Sequence, residues 1–327
     1  MKSRAILRLT IAALVAWVDS STLQTASAAE EPQSRQPLVT VSAHARWISS
    51  VAFSPDGKRI VSGGDDQALK VWDAHTGEEV TTLRGHNSPV TAVGFTSDGK
   101  RIVSGDWNGA VRIWVASEAT PMRTWRAHGE TITCLAFTPD GERFATGSAD
   151  DTLTIWNAAT GEELVAIEQG NEYDVTGAAF SPDGKRIVTG DGDNLVKVWD
   201  SLTGQELMTL RGHEQAIACV AYSPDGKHIA AGSFGGVLKV FDSQTGKDLH
   251  TLRGHTDDVT CAAFTPDGKR LVSGSADDTL RIWNSATGQE VLTLRGHTDD
   301  ITSLAISPTG DRIVTGSKAM LIIWRIP

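Results

Sequence analysis

Ser54-Pro55-Asp56-Gly57-Lys58-Arg59-Ile60-Val61-Ser62-Gly63 decides the fold, because the chain repeats it. Variants stand at Thr96–Gly105, Thr138–Gly147, Ser181–Gly190, Ser223–Gly232, Thr265–Gly274 and Ser307–Gly316. Pro pre-sets φ and Gly accepts a positive φ, so Pro-Asp-Gly is a tight turn leading into a short β-branched run. Upstream of each copy lies a Gly-His or a relic of one: His44, His86, His128, Asn171, His213, His255 and His297. The steps between them are 42, 42, 43, 42, 42 and 42 residues. Downstream lies an aromatic: Trp72, Trp114, Trp156, Trp199, Phe241, Trp283 and Trp324. This copying explains why the chain holds 10 Trp but only 2 Tyr.

Segments such as Val90–Phe95, Arg101–Ser104, Ala110–Trp114 and Met122–Trp125 are short, apolar and bounded by turn residues, which predicts four strands per unit. No useful amphipathic helical pattern appears after residue 37. Four strands in about 42 residues with Gly-His and Trp-Asp signatures resembles the WD40 repeat family over Leu38–Pro327. The resemblance implies an all-β, seven-bladed β-propeller with one four-stranded sheet per blade. The last unit ends on its third strand, whereas Leu38–Ser42 precedes the first unit where others carry a fourth. That segment is therefore expected to complete the last blade and close the ring.

The family resemblance also implies structural hydrogen-bond tetrads, read here as His44, Ser62, Asp66 and Trp72; His128, Thr146, Asp150 and Trp156; and His255, Ser273, Asp277 and Trp283. Repeat 2 carries Asn108 at the Asp position, repeat 4 has Asn171 for His with Asp193 as its acid, and repeat 7 has lost the Asp. Repeat 5 departs most, with Ala231, Gly235 and Phe241, and is expected to be loosely held. Six of the nine histidines are absorbed by these positions, leaving His75, His228 and His250 isolated. No catalytic residues, metal ligands or cofactor are assigned.

Residues 1–37 read differently. Lys2, Arg4 and Arg8 precede the ten-residue apolar run Leu9–Val18, and Ala26-Ser27-Ala28 offers a small-x-small cleavage site. The expected organisation is a signal peptide over 1–28, a linker over 29–37 and the propeller over 38–327, in an exported protein, periplasmic or secreted. Ten apolar residues are too few to cross a hydrocarbon core about 30 Å thick, so the mature chain is expected to hold no integral membrane segment. A leader ending at Ala28 removes three of the 30 basic and one of the 40 acidic residues, moving the net charge from −10 to −12. That balance, with most Lys and Arg at repeated scaffold positions, argues against nucleic acid. Cys134, Cys219 and Cys261 fall on innermost strands, where buried free thiols are expected; a Cys219–Cys261 bridge is the alternative.

Function is sought where the units differ. At the d–a and b–c loops, the repeats carry Asp65, Glu130, Asp174, Asp257, Asp258, Asp299 and Asp300 against Arg46. Trp47, Trp107, Tyr173 and Phe234 stand among them with no core role to require them. Aromatic anchors beside like charge suit recognition of a protein or peptide, here a basic segment, by a monomeric non-enzymatic scaffold. The alternative is a small-ligand or metal-dependent receptor or enzyme using the channel mouth.

Overall fold

The computed structural model describes residues 36–116, 118, 120–168 and 174–326. The expected leader, most of the linker, Asn171 and Tyr173 lie outside the described residues. Among the described residues, 28 strands form seven four-stranded antiparallel sheets, and no helix is long and apolar enough to cross a membrane.

In blade 1 the strands are a (Ile48–Phe53), b (Arg59–Gly64), c (Ala68–Asp73) and d (Glu79–Arg84). Strands b and c are buried on both faces, which is why they read as near-continuous apolar runs. First strands of neighbouring blades pack on one another, which places strand a at the axis and strand d at the circumference. Each apolar core lies between two blades: Val61, Leu69, Val71 and Leu83 of blade 1 meet Val90, Phe95, Ile102 and Trp114 of blade 2. One sheet alone leaves both faces wet, so the ring is the folding unit.

The Gly that ends each repeated phrase is required by that packing. A Cβ on Gly63 would lie 2.6 Å from Val90 Cγ1 of the next blade. The repeated Arg also crosses blades: Arg101 donates to Ala158 O (3.3 Å), Arg186 to Ser243 O (3.3 Å) and Arg312 to Ala74 O (2.8 Å). Blade 5 has His228 at that position, which carries no guanidinium to make this bond.

Ring closure follows the expected route. Val39–Ser42 pairs antiparallel with Met320–Arg325, and Leu38 N–H donates to Ile323 O at 2.8 Å. Val39 and Val41 join Ile48, Trp72, Val314 and Ile323 in the core that bridges the first and last blades.

Candidate functional site

The tetrads hold the loops that carry the site. In blade 1 the Trp72 indole N–H donates to Ser62 Oγ (2.9 Å), and the Ser62 hydroxyl donates to His44 Nε2 (2.7 Å). His44 Nδ1–H then donates to Asp66 (2.8 Å). Blades 3 and 6 repeat this chain through Thr146 and Ser273, with the acids Asp150 and Asp277 at 3.2 and 3.0 Å. These hydroxyls are fully buried and each is engaged by both indole and imidazole, so the Ser–His–Asp set fixes strands and presents no nucleophile to solvent. Burial, the largest cause, holds all four imidazoles that face a tetrad acid below their ordinary pKa, against the opposing pull of the acid.

Blades 2 and 4 carry their acid at a position other than the expected one. In blade 2 the partner of His86 is Asp106, at 2.6 Å; Asn108 serves only as part of the turn, its N–H donating to Asp106 Oδ1. Asp106 sits at the buried end of strand b, and this shifts the acid two residues upstream. In blade 4 the corresponding buried acid is Asp191, which accepts from the N–H groups of Asp193 and Leu195. Asp193 therefore does not occupy the acid position that the sequence suggested.

Blades 5 and 7 are incomplete. With Ala231 where a hydroxyl belongs, the buried His213 Nε2 has no partner among the described residues, while Nδ1 meets Ser233 Oγ at 2.9 Å. His297 retains Thr315 (2.7 Å), but with the Asp gone its Nδ1 has no partner among the described residues. Burial lowers both imidazoles to about 4.

The cysteines are free. Burial raises the Cys134 thiol to about 11 and Cys261 to about 12, and pushes Cys219 up as well.

The face carrying the d–a and b–c loops, here the upper face, presents Trp47, Trp107 and Phe234 to solvent, at 36%, 56% and 43% exposure. Their backbones are tied down: Asp65 N–H donates to Trp47 O (2.9 Å), Trp107 N–H to Pro89 O (2.9 Å) and Phe234 N–H to Ala216 O (3.0 Å). Thr131 Oγ donates to Trp107 O (3.0 Å), and Gly235 N–H to Asp258 Oδ1 (2.8 Å), so neighbouring blades share these loops. Exposed rings on fixed backbones are what an anchor needs, since little ordering is left to do on binding.

Glu130, Asp174, Asp257 and Asp300 are exposed, and Asp65, Asp258 and Asp299 are half-buried. Asp278, directly after the tetrad acid Asp277 and absent from the loop positions compared above, joins them. Its carboxyl is pushed up by burial first, then by Asp300 and Asp299, so these three acids share one neighbourhood on blades 6 and 7. The charge is less one-sided than the loops suggested. Lys318 pairs with Asp299 at 3.2 Å, and Arg84, Arg126, Arg211, Arg253 and Arg295 are exposed at the upper ends of the d strands. The upper face is thus acidic toward the axis and dotted with arginine at its outer edge.

A cleft of about 470 Å³ opens on blade 2, with Trp107, Asp106, Arg112 and Arg126 in its wall. Larger clefts of about 490 to 600 Å³ lie on the opposite face between successive Pro-Asp-Gly turns. They recur from blade to blade, so they are a property of the ring and not of one site.

The family model described as WD domain, G-beta repeat matches residues 35–73, 77–115, 119–157, 162–200, 204–242, 246–284 and 288–325. Among curated proteins, the chain is 48% identical over 42 residues to Protein HIR1 of Kluyveromyces lactis, covering 13% of this chain and 5% of that protein. It is 37% identical over 49 residues to Ribosome assembly protein 4 of Saccharomyces cerevisiae, covering 15% and 10%. A third match is Vegetative incompatibility protein HET-E-1 of Podospora anserina, 47% over 38 residues, covering 12% and 3%. The matched stretch therefore spans a tenth or less of each relative.

Proposed function

The chain belongs to the WD40 family, and from that membership we propose that it is a recognition scaffold binding a basic peptide or loop of a protein partner on its upper face. The observation that carries this is the set of three exposed aromatics, Trp47, Trp107 and Phe234, on hydrogen-bonded loops beside an acidic inner ring. Aromatic rings supply anchor area, and the carboxylates supply steering and register. The names of two matched relatives, an assembly protein and an incompatibility protein, fit a family whose members act through partners.

The test is fluorescence anisotropy with a capped Arg/Lys-Gly peptide. Binding is expected to weaken at least about tenfold in the Trp47→Ala/Trp107→Ala double variant, the loss of one good anchor. It should also weaken as salt rises through the range where the Debye length falls below about 8 Å. Binding indifferent to both changes would remove the reading.

We also propose that the protein is exported after cleavage at Ala28, supported by the basic, apolar and small-x-small order of residues 1–28. N-terminal sequencing of the extracytoplasmic protein is expected to begin at Ala29; a protein retained in the cytoplasm with Met1 intact would refute it.

A further inference from the structure

We infer that the blade 2 cleft is an anion-accepting subsite of the recognition face, taking a side-chain carboxylate from the same peptide whose cationic part lies on the inner acids. The inference rests on the peptide reading above and deepens it: the partner segment is bipolar, basic at one end and acidic at the other.

In blades 1, 5 and 6 the base in the middle of strand c is neutralised by an acid on strand d: Lys70 by Glu79 (2.7 Å), Lys239 by Asp248 and Arg281 by Glu290. In blade 2 the corresponding strand-d residue, opposite Trp114, is Pro121. Arg112 therefore has no acid on the outer strand and turns to Asp106, with Nη1 at 2.9 Å from Oδ2. This carries a largely buried guanidinium to the upper face.

A second guanidinium is fixed beside it. Arg126 Nε donates to His128 O (3.1 Å), and Nη2 donates to Gly129 O (2.7 Å). Two arginines and a single acid, Asp106, line the cleft, so its balance is positive while the inner ring nearby is negative. Guanidinium presents a planar fork of donors matched to a carboxylate, and holding it in place removes much of the entropy cost of using it. Trp107 stands at the same cleft with more than half its surface exposed, so the anion's own chain has an apolar surface to lie on. Among the described residues, no other blade combines a diverted strand-c arginine with an exposed tryptophan.

The experiment uses three capped fluorescent peptides: the basic segment alone, that segment joined through Gly/Ser linkers of several lengths to Glu-Glu, and the same with Gln-Gln. On the wild-type protein, at the best linker length, the Glu-Glu form is expected to bind about tenfold tighter than the Gln-Gln form, as one added charge-assisted contact gives. In Arg126→Gln, an exposed position whose fold is checked by its melting temperature, that ratio should fall to about one. The basic segment alone should bind Arg126→Gln at least as tightly as the wild type, since the variant removes a like charge from the face. A Glu-Glu form no tighter than Gln-Gln at every linker length, with the basic segment still binding, overturns the subsite and leaves the recognition reading standing. A ratio that survives in both Arg126→Gln and Trp107→Ala also overturns it, because the acid is then read elsewhere. If the basic segment itself fails to bind, both readings fall together.

Discussion

A chain lacking Leu38–Ser42 is expected to melt about 10 °C or more below the parent and to aggregate on heating. The segment supplies the whole fourth strand of the last blade, and four Cα partners pair it with Met320–Arg325. Removing it takes Val39 and Val41 out of the core that joins blades 1 and 7, and bares Leu321, Ile323 and the strand edge that carries them. Val39 and Val41 are half-buried and Leu321 and Ile323 fully buried; at about 1.5–3 kcal/mol for fully burying a side chain of this size, losing the first pair and uncovering the second costs roughly 5 kcal/mol. At about 2–4 °C per kcal/mol for a domain of this class, that exceeds 10 °C. The exposed edge is a template for pairing with another chain, which is why aggregation should accompany it. Differential scanning calorimetry with light scattering reads both; a truncated chain that melts like its parent would contradict the clasp.

The second large effect is expected at Ser104. Its hydroxyl accepts from the Trp114 indole at 2.8 Å and donates to His86 Nε2 at 2.7 Å, all three residues being buried. Ser104→Ala leaves two polar atoms orphaned at about 1–3 kcal/mol each, a loss on the order of 10 °C in melting temperature. The converse exists in blade 5, where Ala231 already leaves His213 Nε2 without a partner. Ala231→Ser should therefore stabilise, by about 1 kcal/mol. Equal melting of wild type and Ser104→Ala would remove the tetrad from the energetics.

Acid should reveal the same groups. His213 and His297 fold with pKa values lowered to about 4 by burial, whereas an unfolded His titrates near 6.5. Between those values the unfolded chain binds more protons, so stability rises with pH there. Their contribution is fully present above about pH 6.5 and drains as pH falls toward 4. Asp277, lowered to about 2 by hydrogen bonds from Thr279, Thr256 and His255 that outweigh burial, adds a second loss from about pH 4 down to 2. A melting temperature flat from pH 7 to 4 would contradict this.

The fold was legible because the same unit is written seven times, and even the clasp could be read as a missing strand at one end and a spare one at the other. Tetrads were legible where all four columns agree, in blades 1, 3 and 6. Asp106 was missed because the acid moved two residues upstream; a lone acid at the end of an otherwise buried strand was the available signal. Trp47, Trp107 and Phe234 were legible as site candidates because nothing in the repeat demands them, and they are indeed exposed. The blade 2 cleft was not, since it depends on Pro121 standing across the sheet from strand c, a relation that chain order does not display. The balance of the face is not legible from its loops alone, because arginines at repeated scaffold positions, such as Arg126, are exposed at its outer edge.

The central claim is that the upper face binds the partner, and hydrogen–deuterium exchange with the basic peptide bound tests it most directly. Slowed exchange is expected in Arg46–Trp47, Asp65–Asp66, Trp107–Asn108, Phe234–Gly235 and Asp299–Asp300, with the Pro-Asp-Gly turns of the opposite face unchanged. Protection confined to Pro55–Lys58 and its repeats would place the peptide on the wrong face and contradict the account.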